Sequence, residues 1–188
     1  MNTTHGLCTT GFIPMRSDPS ERAEMVSQVV FGETYTIEAR HGDWLQIRLD
    51  WDQYEGWIDA KVYDPAPAEY RAGAMVTSPG AFLSGTESMK VLPLPVGSVL
   101  PPGSEGNYQV AGEGWKLSGK VHTPGAPLDI AAVAKQTVAL PYIWGGRCGY
   151  GFDCSGLVQY LKRRQGIQIP RDASQQSTLG KTLSFTHE

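Results

Sequence analysis

The chain has 188 residues, 16 of them Lys or Arg and 19 Asp or Glu, giving a formal net charge of −3, and 40% of its residues are hydrophobic. That share can build a buried core and excludes a disordered tail, and the acidic excess excludes the basic face that a nucleic-acid partner demands. No apolar run reaches the roughly 18 residues of a membrane span, and MNTTHGLCTTGF lacks a basic segment followed by an apolar one, so no signal peptide is read and a cytoplasmic protein is expected.

Residues 1–63 read as strands. Glu33 to Ile37 and Trp44 to Leu49 alternate in hydrophobicity, Gly42-Asp43 supplies the turn between them, and Glu55-Gly56-Trp57-Ile58 makes a third short strand. Strands this short and this close together suggest a small β-barrel. Asp18 to Gln28 breaks the pattern and reads as an ordered loop over it. Asp64-Pro65-Ala66-Pro67-Ala68 is a stiff connection. Residues 64–123 then give a second, more divergent β module, with short runs at Ala74 to Thr77, Ala81 to Leu83, Val96 to Leu100 and Tyr108 to Val110.

From residue 124 the period changes. Ile130, Val133, Ala134 and Val138 recur at helical spacing after a capping Asp129, and Pro141 ends that helix. A glycine-rich passage leads to Asp153, which opens a second helix. Its expected buried stripe is Leu157, Val158 and Leu161, with Lys162, Arg163 and Arg164 at the C-terminal end, where cations are favoured, and Gly166 as its close. Helices that follow strands give an α+β fold class with β modules in front.

Cys8, Cys148 and Cys154 are odd in number and hold no CxxC pair, and four scattered histidines add no zinc-ligand spacing. Neither a metal nor an organic cofactor is expected. If Asp153 caps the second helix, Cys154 sits in its first turn. There the helix dipole and free backbone N–H groups favour thiolate over thiol and can hold the oxyanion formed when sulfur attacks an amide. The glycines before it let a substrate backbone approach. Spacing alone leaves a buried structural cysteine as an equal alternative.

PYIWGG followed by FDCSGLVQ, and then IPRDASQQ, resembles the NlpC-type cysteine peptidases, papain-like enzymes that cut bacterial cell-wall peptides. IPMRSDPSERAEMVSQVVFGE and YEGWID resemble the first bacterial SH3-like module of the murein-peptide dipeptidyl-peptidase branch. The resemblance implies two small SH3-like β-barrel modules, 1–63 and 64–123, followed by residues 124–188 as the N-terminal part of a papain-like α+β domain. It implies Cys154 as nucleophile, with the Tyr142 hydroxyl facing it. Asp153 and Ser155 match positions that contact the substrate, and Trp144 walls the pocket. In this branch the substrate is a murein peptide, L-Ala-γ-D-Glu-diamino acid, whose free N-terminal ammonium is met by acidic and tyrosine groups; by motif position these are Glu24, Tyr54 and Asp172. Each has a plainer reading: a helix cap for Asp153 or Asp172, a surface charge for Glu24, core packing for Tyr142 or Trp144.

One departure matters. A thiol peptidase needs a general base, usually a histidine, which in this family lies on a strand well beyond the catalytic helix after a GDL-type motif that is not found here. His187 precedes the expected position, and His5, His41 and His122 lie in the front modules, so no histidine is assigned. The chain reads as C-terminally truncated, without the sheet that should bury Leu157, Val158 and Leu161. A missing C-terminal segment or a second chain is expected to complete the peptidase domain, and the 188 residues alone are expected to have little activity. The alternative is a protein that binds cell-wall peptides on an incomplete peptidase fold without cutting them.

Overall fold

The computed structural model describes residues 4–181. Its first unit is a six-stranded antiparallel sheet built from β1 (Thr4–Leu7), β2 (Phe12–Arg16), β3 (Met25–Val30), β4 (Thr34–His41), β5 (Trp44–Leu49) and β6 (Glu55–Asp59), in the order β1-β4-β5-β6-β2-β3. β4 and β5 meet across the expected turn, with His41 opposite Trp44 and Gly42 at φ +57°. Alternation puts Leu45, Ile47 and Leu49 inward, where they bury with Ile13, Met15, Val29, Tyr35 and Ile58. Three strands escape the sequence reading. β1 and β2 are short, and β3 occupies the second half of the stretch taken for a loop, which is confined to residues 18–24.

Residues 64–123 fold into two further sheets. β7 (Ala74–Val76), β8 (Phe82–Gly85), β9 (Val91–Pro93), β10 (Val99–Leu100), β11 (Asn107–Val110), β12 (Glu113–Ser118) and β13 (Val121–His122) sort into a three-stranded sheet β10-β7-β13 and a four-stranded sheet β11-β12-β8-β9. Their core is shared. Leu83, Leu100 and Trp115 pack with Leu7 and Phe31 of the first unit.

The last segment holds α1 (Ile130–Gln136), the two-residue strands β14 (Arg147–Cys148) and β15 (Gly151–Phe152), α2 (Cys154–Arg164) and α3 (Ala173–Gln176). Asp129 caps α1 through the amides of Ala131 and Ala132. That helix stops well before Pro141, and Val138, expected on its buried face, is 82% exposed. The apolar stripe expected on α2 also needs correction. Val158 is exposed, and Leu157 and Leu161 are half-buried. They pack against Met75, Val96 and Val99 of the middle unit, together with Val133, Phe152 and Tyr160. The middle unit therefore supplies apolar cover for α2, a role with no trace in its own sequence.

The fully buried face of α2 is polar: Ser155, Gln159 and Arg164, alongside Gly156 and Tyr160. It meets a charged seam on the first unit. Glu33 lies buried between β3 and β4, where it takes the Val30 amide at 2.8 Å and the Arg147 guanidinium at 3.0 Å. Arg163 reaches the same carboxylate and stacks on Trp51, 4.4 Å from the ring centre. Arg147 also donates to the Gln28 carbonyl at 2.6 Å, while its own amide donates to the Gln28 side chain.

Burial alone would push the Glu33 carboxyl upward, but Arg147, Arg163 and the Val30 amide outweigh it and hold the group below its ordinary range. A depressed carboxylate contributes stability above its unfolded value, lost as pH falls through the folded one. Glu33→Gln takes from Arg163 its carboxylate and leaves Arg147 only Asp52, at 3.6 Å, and should cost about 3–5 kcal/mol at neutral pH. Thermal melts should show that gap narrowing below the ordinary carboxylate range. An unchanged melting temperature at pH 7 would show the seam to be energetically idle.

Candidate active site

Cys154 is the first residue of α2 and is exposed, whereas Cys8 and Cys148 are buried. The helix start is fixed by Asp153, whose Oδ1 accepts the Gly156 amide at 2.7 Å and whose Oδ2 accepts the Gly145 amide at 3.0 Å. Gly156 allows this close seating: a Cβ there would lie 2.1 Å from the Gly146 carbonyl oxygen. Gly145, at φ +76°, takes a backbone shape that side chains disfavour, and a Cβ there would meet the Met25 carbonyl oxygen at 2.4 Å. Both glycines therefore admit the protein's own backbone; at Gly145, one of those before Cys154, the sequence suggested room for a substrate.

Arg171, overlooked in the sequence, completes the support. Its guanidinium donates to Asp153 at 3.1 Å and 2.5 Å and to the Ser155 hydroxyl at 2.7 Å, while Nε reaches Ser27 of β3 at 3.3 Å. Asp153 and Ser155 are thus buried and engaged by protein groups, which favours a scaffold role over the expected contact with substrate. The motif IPRDASQQ carried the signal: an arginine beside a candidate acid, preceded by a turn-forming proline.

The other candidates, with Cys154, come together in three pairs. The exposed Tyr142 hydroxyl meets Cys154, and desolvation and the neighbouring thiol push its pKa upward, so it stays a protonated donor. Trp144, 63% exposed, donates Nε1–H to Glu24 at 2.5 Å, so its indole stands at the surface beside the carboxylate. The Tyr54 hydroxyl meets Asp172, and burial together with that carboxylate raises it to about 12. Asp172 precedes α3 but makes no capping hydrogen bond there; its carboxylate takes the Tyr54 hydroxyl instead. Tyr54 and Arg171 also line a cleft of about 580 Å³ with Glu55, Pro170, Ser174 and Gln175. Another crevice of about 840 Å³, floored by Phe31, Val110 and Trp115, contains none of these residues.

No described histidine faces Cys154. His5 contacts Thr36, His41 sits in the β4–β5 hairpin, and His122 contacts the Arg164 carbonyl at the opposite end of α2. His187 lies outside the described residues. Among the described residues no group of His, Cys, Asp and Glu is arranged to hold a metal.

Burial raises the Cys8 thiol to about 12 and the Cys148 thiol to about 11. Iodoacetamide near pH 7.5 should therefore label Cys154 well ahead of the other two in the folded chain, as peptide mass mapping will read. Equal labelling of all three would contradict the geometry.

Comparison with known proteins matches two stretches of the chain. Residues 15–61 match the bacterial dipeptidyl-peptidase SH3 domain, and residues 139–187 match the NlpC/P60 family. A γ-D-glutamyl-L-lysine dipeptidyl-peptidase of Bacillus subtilis is 31% identical over 94% of this chain and 61% of its own length. A protein of the same name from Bacillus cereus is 28% identical over 87% of this chain and 57% of its own. The chain thus spans about three fifths of these curated relatives. A crystal structure of an NlpC/P60 family protein from Bacillus cereus superposes with a TM-score of 0.82 at 21% identity, covering 98% of this chain and 80% of that one, which shows a shared fold. The chain joins a bacterial dipeptidyl-peptidase SH3 domain to a domain of the NlpC/P60 cysteine-peptidase family.

Proposed function

We propose that the protein is a thiol dipeptidyl-peptidase acting on murein peptides with a free N-terminal L-Ala, cleaving after γ-D-Glu. The observation that carries the reading is the position of Cys154: an exposed thiol in the first turn of α2, beside the Tyr142 hydroxyl. The names of the Bacillus relatives agree with it.

The chemistry follows from the groups in place. The sulfur attacks the γ-D-Glu carbonyl carbon; the oxyanion formed is held by N–H groups of the first helical turn, which have no partner within the helix, and by the Tyr142 hydroxyl. The C–N bond breaks, the amine leaves with a proton, and water resolves the thioester. The Asp172 carboxylate beside Tyr54 and the Glu24 carboxylate beside Trp144 pair with the substrate ammonium. An acylated end brings no charge and leaves a carboxylate unmatched.

Release of L-Ala-γ-D-Glu from L-Ala-γ-D-Glu-L-Lys by the full-length protein, abolished in Cys154→Ala, tests the reading. The free-amine peptide should also be preferred over its N-acetyl copy by at least about thirtyfold, for a loss of roughly 2 kcal/mol or more at a desolvated pair. Glu24→Gln should shrink that preference by weakening only the free-amine peptide. Equal turnover of both peptides would refute the end-selectivity. A second reading, capture of cell-wall peptides without hydrolysis, draws on one observation: no described histidine faces Cys154. Tight binding without turnover by the full-length protein would favour it.

A further inference from the structure

The loop between β5 and β6, residues 50–54, carries Tyr54 toward the candidate site. Three residues of this loop are tied to the last segment or to each other in ways the motifs do not reveal. Trp51 stacks on Arg163. Gln53 sits at φ +61°, a left-handed conformation that a non-glycine residue holds at a cost, and its side chain is anchored to the Asp50 carbonyl at 2.8 Å. Asp52 lies between them with its side chain fully buried.

The two Asp52 oxygens have separate duties. Oδ1 accepts the backbone amide of Tyr54 at 3.1 Å, fixing the residue that presents its hydroxyl to the site. Oδ2 accepts Gln159 Nε2 at 2.9 Å and lies 3.6 Å from Arg147. Gln159 belongs to α2, the helix that begins with Cys154. Its Oε1 is pinned by Arg147 Nε at 3.1 Å, and its Nε2 also donates to the Ile169 carbonyl at 3.1 Å, just before the Arg171-Asp172 pair. A continuous set of bonds thus runs from the helix of the nucleophile through Gln159 and Asp52 to Tyr54. A return path runs from Arg171, next to Asp172, to Asp153 at the start of the same helix.

We propose that Asp52 and Gln159 are positioning residues for end-selectivity: they hold the Tyr54 hydroxyl at a fixed distance from Cys154, so that only a peptide of the right reach and with a charged amine fits between them. Both side chains are buried and act through the residues they bond. The inference rests on the free-amine reading above and goes beyond it, because it assigns selectivity to a buried link between two units instead of to the groups that touch the ligand.

The test reads binding through Cys154 and needs no turnover. L-Ala-γ-D-Glu-L-Lys and its N-acetyl copy are compared for their ability to protect Cys154 from iodoacetamide in the present chain, in wild type and in three variants. Asp52→Ala should narrow the preference for the free amine about fivefold or more, with the loss falling on the free-amine peptide alone. Asp52→Asn, which keeps an oxygen for the Tyr54 amide, should retain more of the preference. Gln159→Met should narrow it too, and it carries the test if Asp52→Ala does not fold. An unchanged ratio in Asp52→Ala and Gln159→Met, or equal weakening of both peptides, overturns the inference and leaves the free-amine reading standing. A wild-type chain that fails to distinguish the two peptides overturns that reading, and the inference with it.

Discussion

The Glu33 carboxylate, buried and shared by Arg147 and Arg163, is the interaction on which the rest of the molecule depends. A carboxylate taken out of water is tolerated only when paired and hydrogen-bonded, so one acidic group on the front sheet dictates where two basic groups of the last segment must lie. Arg147 begins β14 and Arg163 sits near the end of α2; fixing both sets the position and tilt of the helix that presents Cys154. Because the seam is charged, a small misplacement leaves unpaired groups, which a greasy interface would forgive by sliding.

The site inherits that geometry. Each candidate pair draws on separate stretches of chain: Glu24 with Trp144, Tyr54 with Asp172, Tyr142 with Cys154. None of the first two would meet if the front sheet were docked a few ångströms away. Arg171 makes the same point at closer range, since one guanidinium spans the helix cap at Asp153 and Ser27 of the front sheet. The front sheet and the start of α2 form one chemical surface.

What could be read from the sequence was local. Asp129 and Asp153 announce helix starts because capping acts within three residues, and the β4–β5 hairpin is written in alternation around Gly42-Asp43. The buried face of α2 was misread because hydrophobic periodicity assumes an apolar partner. Here Gln159 turns inward toward Asp52, more than a hundred positions earlier, Ser155 toward Arg171, Arg164 onto the Tyr160 hydroxyl of its own helix, and Val158 turns out. Such pairings leave no period in the sequence. β3 was hidden for a related reason: Ser27 and Gln28 are buried yet polar, since they serve Arg171 and Arg147. The glycine-rich passage was seen but misassigned, because composition tells where a Cβ is forbidden and not which atom forbids it.

The shared apolar cluster of Met75, Val96 and Val99 with Phe152 and Tyr160 bears on how the protein is made. A ribosome delivers residues 4–123 first, and they can bury most of their own apolar surface before α2 has left the exit tunnel. The helix then condenses onto a template already formed, so the exposed Cys154 thiol takes its place only after both front units have been made. Synthesis order thereby divides the candidate site: an interrupted translation product holds Glu24 and Tyr54 but none of their partners Trp144 and Asp172, and no Cys154.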